Sequence, residues 1–320
     1  MIHLPLKDKL APPGRLLVDG ALRQIRRAII TLDGDVYNQS YYPHDLVTDL
    51  LRAFSIHKTH LNPGDQGKCN YCESKGEKMV TLQVEHFRPK AKVDALDNGG
   101  IELPGYYWLG LEWTNLLLSC PKCNGKSAKG NRFPIRGNRA TPIQPISSIG
   151  RILSIDRTEC YADEDPLLAE QAILLNPEID YPETYLTFNN QAYLSGHGLD
   201  AERGEMSKDI YDLNRDILLA ERIKVWATFK KKILDFIGGH MINEINDQGL
   251  NFFFKNISKD IIKRKSPAEE FTLWGRFIND NLEIFIAEIP DDYQNLFRLA
   301  YQEASNEQLS QANALVIQLV

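Results

Sequence analysis

Two short cysteine pairs, CNYC at residues 69–72 and CPKC at residues 120–123, dominate the interpretation of this 320-residue chain. Close pairs of this kind, which take up four of the five cysteines, are more typical of a metal site than of disulfides. Two such pairs can surround one Zn²⁺ with four thiolates, which leaves no open position for a substrate. We therefore predict a structural zinc site, against the alternative of metal-free thiols, with these ligands: Cys69, Cys72, Cys120 and Cys123.

The sequence between the pairs predicts two structured elements. Residues 81–87, TLQVEHF, alternate in polarity as a strand does. The apolar run at residues 106–118, YYWLGLEWTNLLL, is expected to form a second element beside that strand, and residues 121–130 a short helix. The aromatic residues of the run can stack bases, but their apolar neighbours favour core packing. The lone Cys160 is expected to be a small buried residue.

The chain as a whole has the composition of a soluble globular protein, with 43% apolar and 25% charged residues. It contains no apolar run of about 18 residues and begins without a signal-peptide core, so we expect a cytoplasmic protein that does not enter a membrane. A helix is predicted over 45–61. From residue 201 onward the pattern is helical, with an expected core-facing stripe: Ile210, Leu213, Ile217, Leu218, Ile223 and Val225.

The charge of the chain is uneven. Residues 68–139 contain 12 Lys and Arg and 7 Asp and Glu, which is a formal charge of +5. Because the whole chain carries −6, the residues outside this segment carry −11. A local basic excess attracts phosphates within a Debye length of about 8–10 Å. The acidic remainder is expected to weaken long-range steering of nucleic acid or to face another protein.

The order of the features resembles the HNH family of metal-dependent nucleases in its zinc-bearing form. Cys69-x-x-Cys72 is followed by Glu85-His86, then by Asn115, and then by Cys120-x-x-Cys123-Asn124. The resemblance implies an α+β fold, with a ββα-metal core embedded in a mostly helical chain that ends in a long helical region.

A narrower resemblance covers roughly residues 66–235. The stretches CNYCE, VEHFRPK, YYWLGLEWTNLLLSCPKCNGKSAKGNRFP, LLNPEIDYPETYLTF and RGEMSKDIYDLNRDILLAERIKV are similar to the PtuB-type nucleases of Septu and retron-associated antiphage systems. This resemblance implies a PtuA-like ATPase oligomer as partner and, in retron versions, a reverse transcriptase with its msDNA.

His86 is the expected general base, because an imidazole with a pKa near ~6.5 can take a proton from water at neutral pH. The resemblance makes Glu85 and Asn124 the ligands of a catalytic Mg²⁺ or Mn²⁺, and Asn115 the residue that braces the histidine loop. A lone histidine would more often be a hydrogen-bonded core residue, but the combination favours catalysis. Any single basic residue nearby would more often be a solvated charge, but as a group around the metal site the following residues are predicted to contact phosphates: Arg88, Lys90, Lys126 and Lys129.

The expected function is thus a metal-dependent endonuclease, with DNA as the favoured substrate. The same chemistry on RNA, such as tRNA in a retron-type toxin complex, is one alternative, and a non-catalytic zinc-ribbon module that binds nucleic acid or protein is another. We expect four regions: an N-terminal helical extension at 1–65, the HNH core at 66–140, an irregular segment packed on it at 141–200, and a partner-docking helical region at 201–320.

Overall fold

The computed structural model describes residues 1–37, 44–54, 67–75, 82–94, 102–142, 146–149, 152–155 and 157–318, which form α-helices and small strand pairs. The helices are α1 Asp19–Thr31, α2 His44–Phe54, α3 Pro121–Asn124, α4 Ala201–Ile210, α5 Asp216–Met241, α6 Asp247–Lys263, α7 Thr272–Asp280, α8 Leu282–Ile286 and α9 Asp291–Gln318. The strands are β1 Gln83–His86, β2 Lys92–Asp94, β3 Glu102–Pro104, β4 Leu116–Ser119, β5 Ile146–Ile149, β6 Ile152–Ile155, β7 Leu186–Phe188 and β8 Leu194–Gly196.

These elements divide into two compact units. Unit 1 comprises residues 1–187 and 195–213, and unit 2 comprises residues 188–194 and 214–320. The strands pair two by two: β1 with β4, β2 with β3, β5 with β6 and β7 with β8. The four regions expected from composition stay a prediction. Among the residues that the structure describes, no helix is both long and apolar enough to cross a membrane.

Unit 1 contains the strand pair on which the candidate site is built. β1 runs antiparallel to β4, with Glu85 opposite Leu117 and His86 opposite Leu116. The strand predicted over 81–87 is therefore confirmed at Gln83–His86. The apolar run at 106–118 forms two single 3₁₀ turns before it enters β4, which is buried along its whole length and therefore lacks a polar alternation.

A short helix follows β4 directly. Pro121 occupies the first turn of α3, where its missing N–H leaves no hydrogen bond unmade. The predicted short helix is confirmed, but it ends at Asn124 rather than at residue 130. The helix predicted over 45–61 is found as α2 up to Phe54, and its expected last part lies outside the described residues.

The core of unit 1 is rich in aromatic side chains. Tyr106, Tyr107, Trp108 and Trp113 are all buried, which confirms that they pack in the core. The Trp108 ring meets those of Tyr106 and Tyr107 tilted and edge-on, at 5.4 and 5.1 Å. Cys160 is buried as well, in agreement with its expected role as a small core residue.

Unit 2 is built from α5 to α9, and its buried stripe differs from the one expected. Leu218 is buried, but Ile217 and Ile223 are 54% and 46% exposed, so their assignment to the core was wrong. The inward face of α5 instead follows a spacing of four or seven residues: Leu218, Arg222, Trp226, Ile233 and Ile237. Because Arg222 of this series is charged, a search for apolar residues at helical spacing does not find the series. Arg222 lies over the Phe188 ring and donates to Asn214 Oδ1 at 3.1 Å.

Candidate metal centre and active site

The first cysteine pair lies on a tight turn that is fastened to β4. The Cys69 N–H donates to the Ser74 carbonyl at 3.0 Å, and this places Cys69 and Cys72 on the same side of the turn. Asn70 makes two hydrogen bonds with Leu118, one through its backbone N–H at 2.9 Å and one through its side-chain oxygen at 2.7 Å. The turn that carries the first cysteine pair is therefore held against the strand that leads to the second.

The second pair belongs to α3. Cys120 is the residue before the first turn of the helix, and the N–H of Cys123 donates back to its carbonyl at 3.1 Å. The four sulfur atoms of the two pairs lie within 4.8 Å of one another, and all four side chains are buried. The Cys72 and Cys120 sulfurs are 3.8 Å apart. A tetrahedron with Zn–S bonds of ~2.3 Å has an edge of ~3.8 Å, so the cluster could hold a metal ion such as zinc.

The thiols of the cluster differ in acidity. Burial raises the pKa of the Cys69 thiol, and the neighbouring thiols raise that of Cys123. Hydrogen bonds from Cys123 and Cys69 lower the pKa of Cys120 to about 7. The surroundings therefore favour a thiolate on Cys120 and protonated thiols on Cys69 and Cys123. Ionisation of all four adjacent thiols would require a positive ion among them.

His86 ends β1, and its ring is fixed by a backbone carbonyl. Its Nε2 atom lies 2.9 Å from the Gly110 oxygen. Because a carbonyl oxygen only accepts, the neutral ring carries its proton on Nε2, and Nδ1 is the basic nitrogen. Burial lowers the pKa of His86 to about 3, and the half-buried ring remains in reach of solvent. His86 is consequently neutral at pH 7, and the same burial makes it a weaker base than a free imidazole with a pKa near ~6.5.

Asn115 links the segment that follows His86 to the segment whose carbonyl contacts the His86 ring. Its side-chain oxygen accepts from the Arg88 N–H at 2.8 Å, and its amide nitrogen donates to the Arg88 carbonyl at 3.0 Å and to that of Leu109 at 3.4 Å. Arg88 lies two residues after His86, and Leu109 precedes the Gly110 that holds the imidazole. One buried amide therefore fixes both the strand end and the acceptor of the histidine ring.

Glu85 and Lys129 form a buried ion pair. The Lys129 ammonium lies 2.6 Å from Glu85 Oε1, in a geometry that does not make a hydrogen bond, and it donates to the His86 carbonyl at 2.8 Å. Burial raises the pKa of Glu85, and the charge of Lys129 opposes that rise. Lys129 was expected to contact phosphate, but the structure places its charge inside the protein beside Glu85.

The other predicted residues are placed separately. Asn124, the last residue of α3, is half-buried, and among the described residues its side chain makes no hydrogen bond. Lys126 is exposed. Arg88 is buried and donates to Glu170 at 2.8 Å, while Lys90 donates to the Gly34 carbonyl at 2.8 Å. Of the four basic residues predicted to contact phosphate, Lys126 is thus the exposed one, and the other three have internal partners.

Two residues that support the site were missed from the sequence. Gly110 accepts from His86, and a side chain at this position would overlap the Tyr37 ring. A glycine within the apolar run YYWLGLEW was an available signal of such a close approach. Glu170 is fully buried and accepts from Arg88, from the Tyr106 hydroxyl at 2.6 Å and from the Ala140 N–H at 2.8 Å. Nothing in the local sequence distinguishes it from a surface glutamate.

Comparison with known proteins gives a relationship over part of the chain. No family model and no solved structure matches it. Septu protein PtuB of Bacillus mycoides strain KBAB4 is 34% identical over 173 residues, which are 54% of this chain and 52% of that protein. Septu protein PtuA of the same strain is 30% identical over 164 residues, 51% of this chain and 20% of that protein. Septu protein PtuB of Bacillus thuringiensis is 27% identical over 149 residues, 46% of this chain and 37% of that protein.

The chain therefore spans about half or less of the length of the curated relatives that it matches. Over about half of its own length, it is a relative of the PtuB-type Septu proteins.

Proposed function

We propose that this chain is an HNH endonuclease that hydrolyses nucleic-acid phosphodiester bonds with the help of a divalent cation, and that DNA is its preferred substrate. The observation that carries the proposal is the state of His86. It is a neutral imidazole at a strand end, its Nε2 is held by the Gly110 carbonyl, and the loop around it is clamped by Asn115.

Glu85 and Asn124 are the residues that would hold a catalytic Mg²⁺ or Mn²⁺. Both offer the hard oxygen atoms that these cations prefer. The Asn124 side chain has no hydrogen-bond partner among the described residues, whereas Glu85 Oε1 lies 2.6 Å from the Lys129 ammonium, so a cation bound there would take over part of the charge that Lys129 now neutralises. Bound there, the cation would polarise the phosphate and stabilise the leaving oxygen.

The remaining residues have distinct tasks in this proposal. His86 takes the proton of the attacking water at Nδ1, and the Gly110 carbonyl stabilises the imidazolium that results. Lys129 favours the ionised form of Glu85, because its charge opposes the rise in pKa that burial causes. Lys126, exposed two residues after Asn124, contacts the substrate phosphate. The four cysteines hold a structural Zn²⁺ that anchors β4 and α3.

The decisive test is His86→Ala with plasmid DNA and Mg²⁺ or Mn²⁺. Loss of a general base should slow cleavage by about 10²- to 10⁴-fold while the zinc content and the melting temperature stay unchanged. His197→Ala is the matched control, since His197 is an exposed histidine of the same unit. Cleavage by His86→Ala at the wild-type rate would refute the enzyme and leave a non-catalytic zinc-ribbon module. Total tRNA as a parallel substrate separates DNA from RNA cleavage.

We further propose that the nuclease works in the cytoplasm, as part of an antiphage defence complex with a PtuA-like ATPase. The similarity to proteins named Septu PtuB and PtuA supports this context. A retron context, with a reverse transcriptase and msDNA, is the alternative. Affinity purification from the native host, followed by mass spectrometry, tests both. An ATPase alone, or an ATPase together with a reverse transcriptase, identifies the system, and a nuclease recovered without either contradicts the complex.

A further inference from the structure

Lys129 carries a charge that is held inside unit 1. The residue is 1% exposed, and its side chain is among the largest fully buried ones of the described chain. Lysine is almost never fully buried unless its charge is paired, and a buried ion pair is by itself weak evidence for stability. The burial of this charge therefore points to a task beyond stability.

Lys129 connects the two residues that we propose as ligands of the divalent cation. Its backbone N–H donates at 3.2 Å to the carbonyl of Cys123, which belongs to the peptide group that joins Cys123 to Asn124. Its ammonium lies 2.6 Å from Glu85 Oε1 and donates to the His86 carbonyl at 2.8 Å. Among the described residues, Glu85 is the carboxylate that pairs with it. One side chain therefore reaches from the backbone next to Asn124 to the carboxylate of Glu85.

The ammonium and a divalent cation would compete for the same carboxylate. Two positive charges beside one carboxylate repel each other, and in a buried position water and salt weaken this repulsion much less than they do on the surface. The carboxylate can therefore bind the cation fully only when the ammonium moves away. We expect the charge of Lys129 to weaken cation binding by about tenfold or more.

We propose that Lys129 takes the place of the catalytic cation in the free chain, so that the chain binds Mg²⁺ or Mn²⁺ weakly until nucleic acid is present. This inference rests on the proposed nuclease function. A substrate phosphate at the site adds negative charge and restores the attraction for the cation. Lys129 is then a positioning residue, which holds the Glu85 carboxylate and the His86 backbone in the cation-free state and restricts cation binding to the complex with substrate.

The test measures cation binding and needs no cleavage. The zinc-loaded full chain is titrated with Mn²⁺ in the absence of nucleic acid, and the unbound Mn²⁺ is followed by electron paramagnetic resonance. Lys129→Gln removes the charge but keeps an N–H donor for the His86 carbonyl, and we expect it to bind Mn²⁺ about tenfold more tightly than the wild type. Glu85→Gln/Lys129→Gln should lose this gain, because the carboxylate that binds the cation is missing.

Lys122→Gln is the matched control, because Lys122 is an exposed lysine of α3 in the same segment. It removes the same charge from a position where water and salt screen it, so the affinity should change by less than about twofold. An unchanged or weaker affinity in Lys129→Gln would overturn the inference, and so would micromolar binding of Mn²⁺ by the wild-type chain alone. If Lys129→Gln is unfolded without cation, Mn²⁺ should refold it, and persistent unfolding in Mn²⁺ would count against the inference.

The two proposals can fail separately. Cleavage by the wild-type chain, together with an unchanged Mn²⁺ affinity in Lys129→Gln, would leave the nuclease and remove this role of Lys129. A gain in Mn²⁺ affinity that depends on Glu85, in a chain that never cleaves, would leave the competition for the carboxylate and remove the enzyme.

Discussion

The N-terminal segment is attached to the candidate site by a buried charge, and Lys7→Met tests that attachment. The Lys7 ammonium pairs with Glu178 and donates to the Leu116 carbonyl at 2.9 Å, on the residue opposite His86 in the strand pair. The Lys7 and Glu178 side chains are 0% and 2% exposed. Removal of one partner of such a pair typically costs about 3–5 kcal/mol, because the other charge is left without compensation.

The cost should depend on pH in a defined direction. Burial raises the pKa of Glu178 in the folded protein, and Lys7 opposes the rise, so the pKa climbs further in Lys7→Met. Below the unfolded pKa of about 4.3, the carboxyl is protonated in both states and its ionisation contributes no penalty. Above it, folding has to retain a proton that the unfolded chain releases. Because the folded pKa of Glu178 is raised in the wild type as well, the loss of stability relative to wild type should grow by about 1.4 kcal/mol per pH unit only between the folded pKa of the wild type and the higher folded pKa of the variant.

Urea unfolding at pH 5, 6 and 7, followed by tryptophan fluorescence, measures this loss. Lys9→Met is the matched control from the same segment, since Lys9 is 27% exposed and pairs with Asp163 and Glu164 near the surface. Its cost should be about 1 kcal/mol or less. The double variant Lys7→Met/Glu178→Gln should recover part of the stability. A cost for Lys7→Met that is as small as the control, or that shrinks as the pH rises, would refute a buried charge at this position.

Two further predictions concern the metal centre and the histidine. Cys72→Ser should lower the bound zinc, measured by mass spectrometry of the intact protein, and lower the melting temperature. Cys160→Ser, which changes a buried cysteine that does not belong to the cluster, should retain the metal. Unchanged zinc in Cys72→Ser would contradict a four-thiolate site. Gly110→Ala should destabilise the fold by about 1–3 kcal/mol and slow cleavage, because the added methyl group overlaps the Tyr37 ring and shifts the carbonyl that holds His86; wild-type activity in this variant would mean that the carbonyl has no part in catalysis.

The sequence was most informative where spacing and chemistry coincide. The cysteine pairs are 51 residues apart, yet their grouping was predictable because a tetrahedral thiolate site needs four ligands and each short pair supplies two. The strand at Gln83–His86 followed from alternation, and the helix at α3 from the absence of β-forming residues. The hydrogen bonds of Asn115 have the form that the family resemblance implied, although their catalytic purpose stays a proposal.

The basic residues around the site could not be sorted from sequence alone. Arg88, Lys126 and Lys129 look equivalent in the linear chain, but their partners lie far away along it. Arg88 meets Glu170, 82 residues later, and Lys129 returns to Glu85, 44 residues earlier, while Lys126 stays in solvent. Local composition does not reveal these long-range pairings. Because of them, Arg88 and Lys129 are paired inside the protein, where a phosphate contact was expected.

Ion pairs within unit 1 also change the interpretation of the acidic residues outside 68–139. Of the −11 outside residues 68–139, a formal −8 belongs to residues 140–200, with ten Asp and Glu against two Arg, whereas residues 201–320 contribute −4. Much of the acidic segment is engaged within unit 1, where Glu170, Glu178 and Asp180 pair with Arg88, Lys7 and Arg203. Charge therefore gives little support to docking through the C-terminal helices. If a partner binds there, salt should weaken the complex only slightly, because the attraction would come from apolar residues exposed on those helices, such as Phe252 and Leu309.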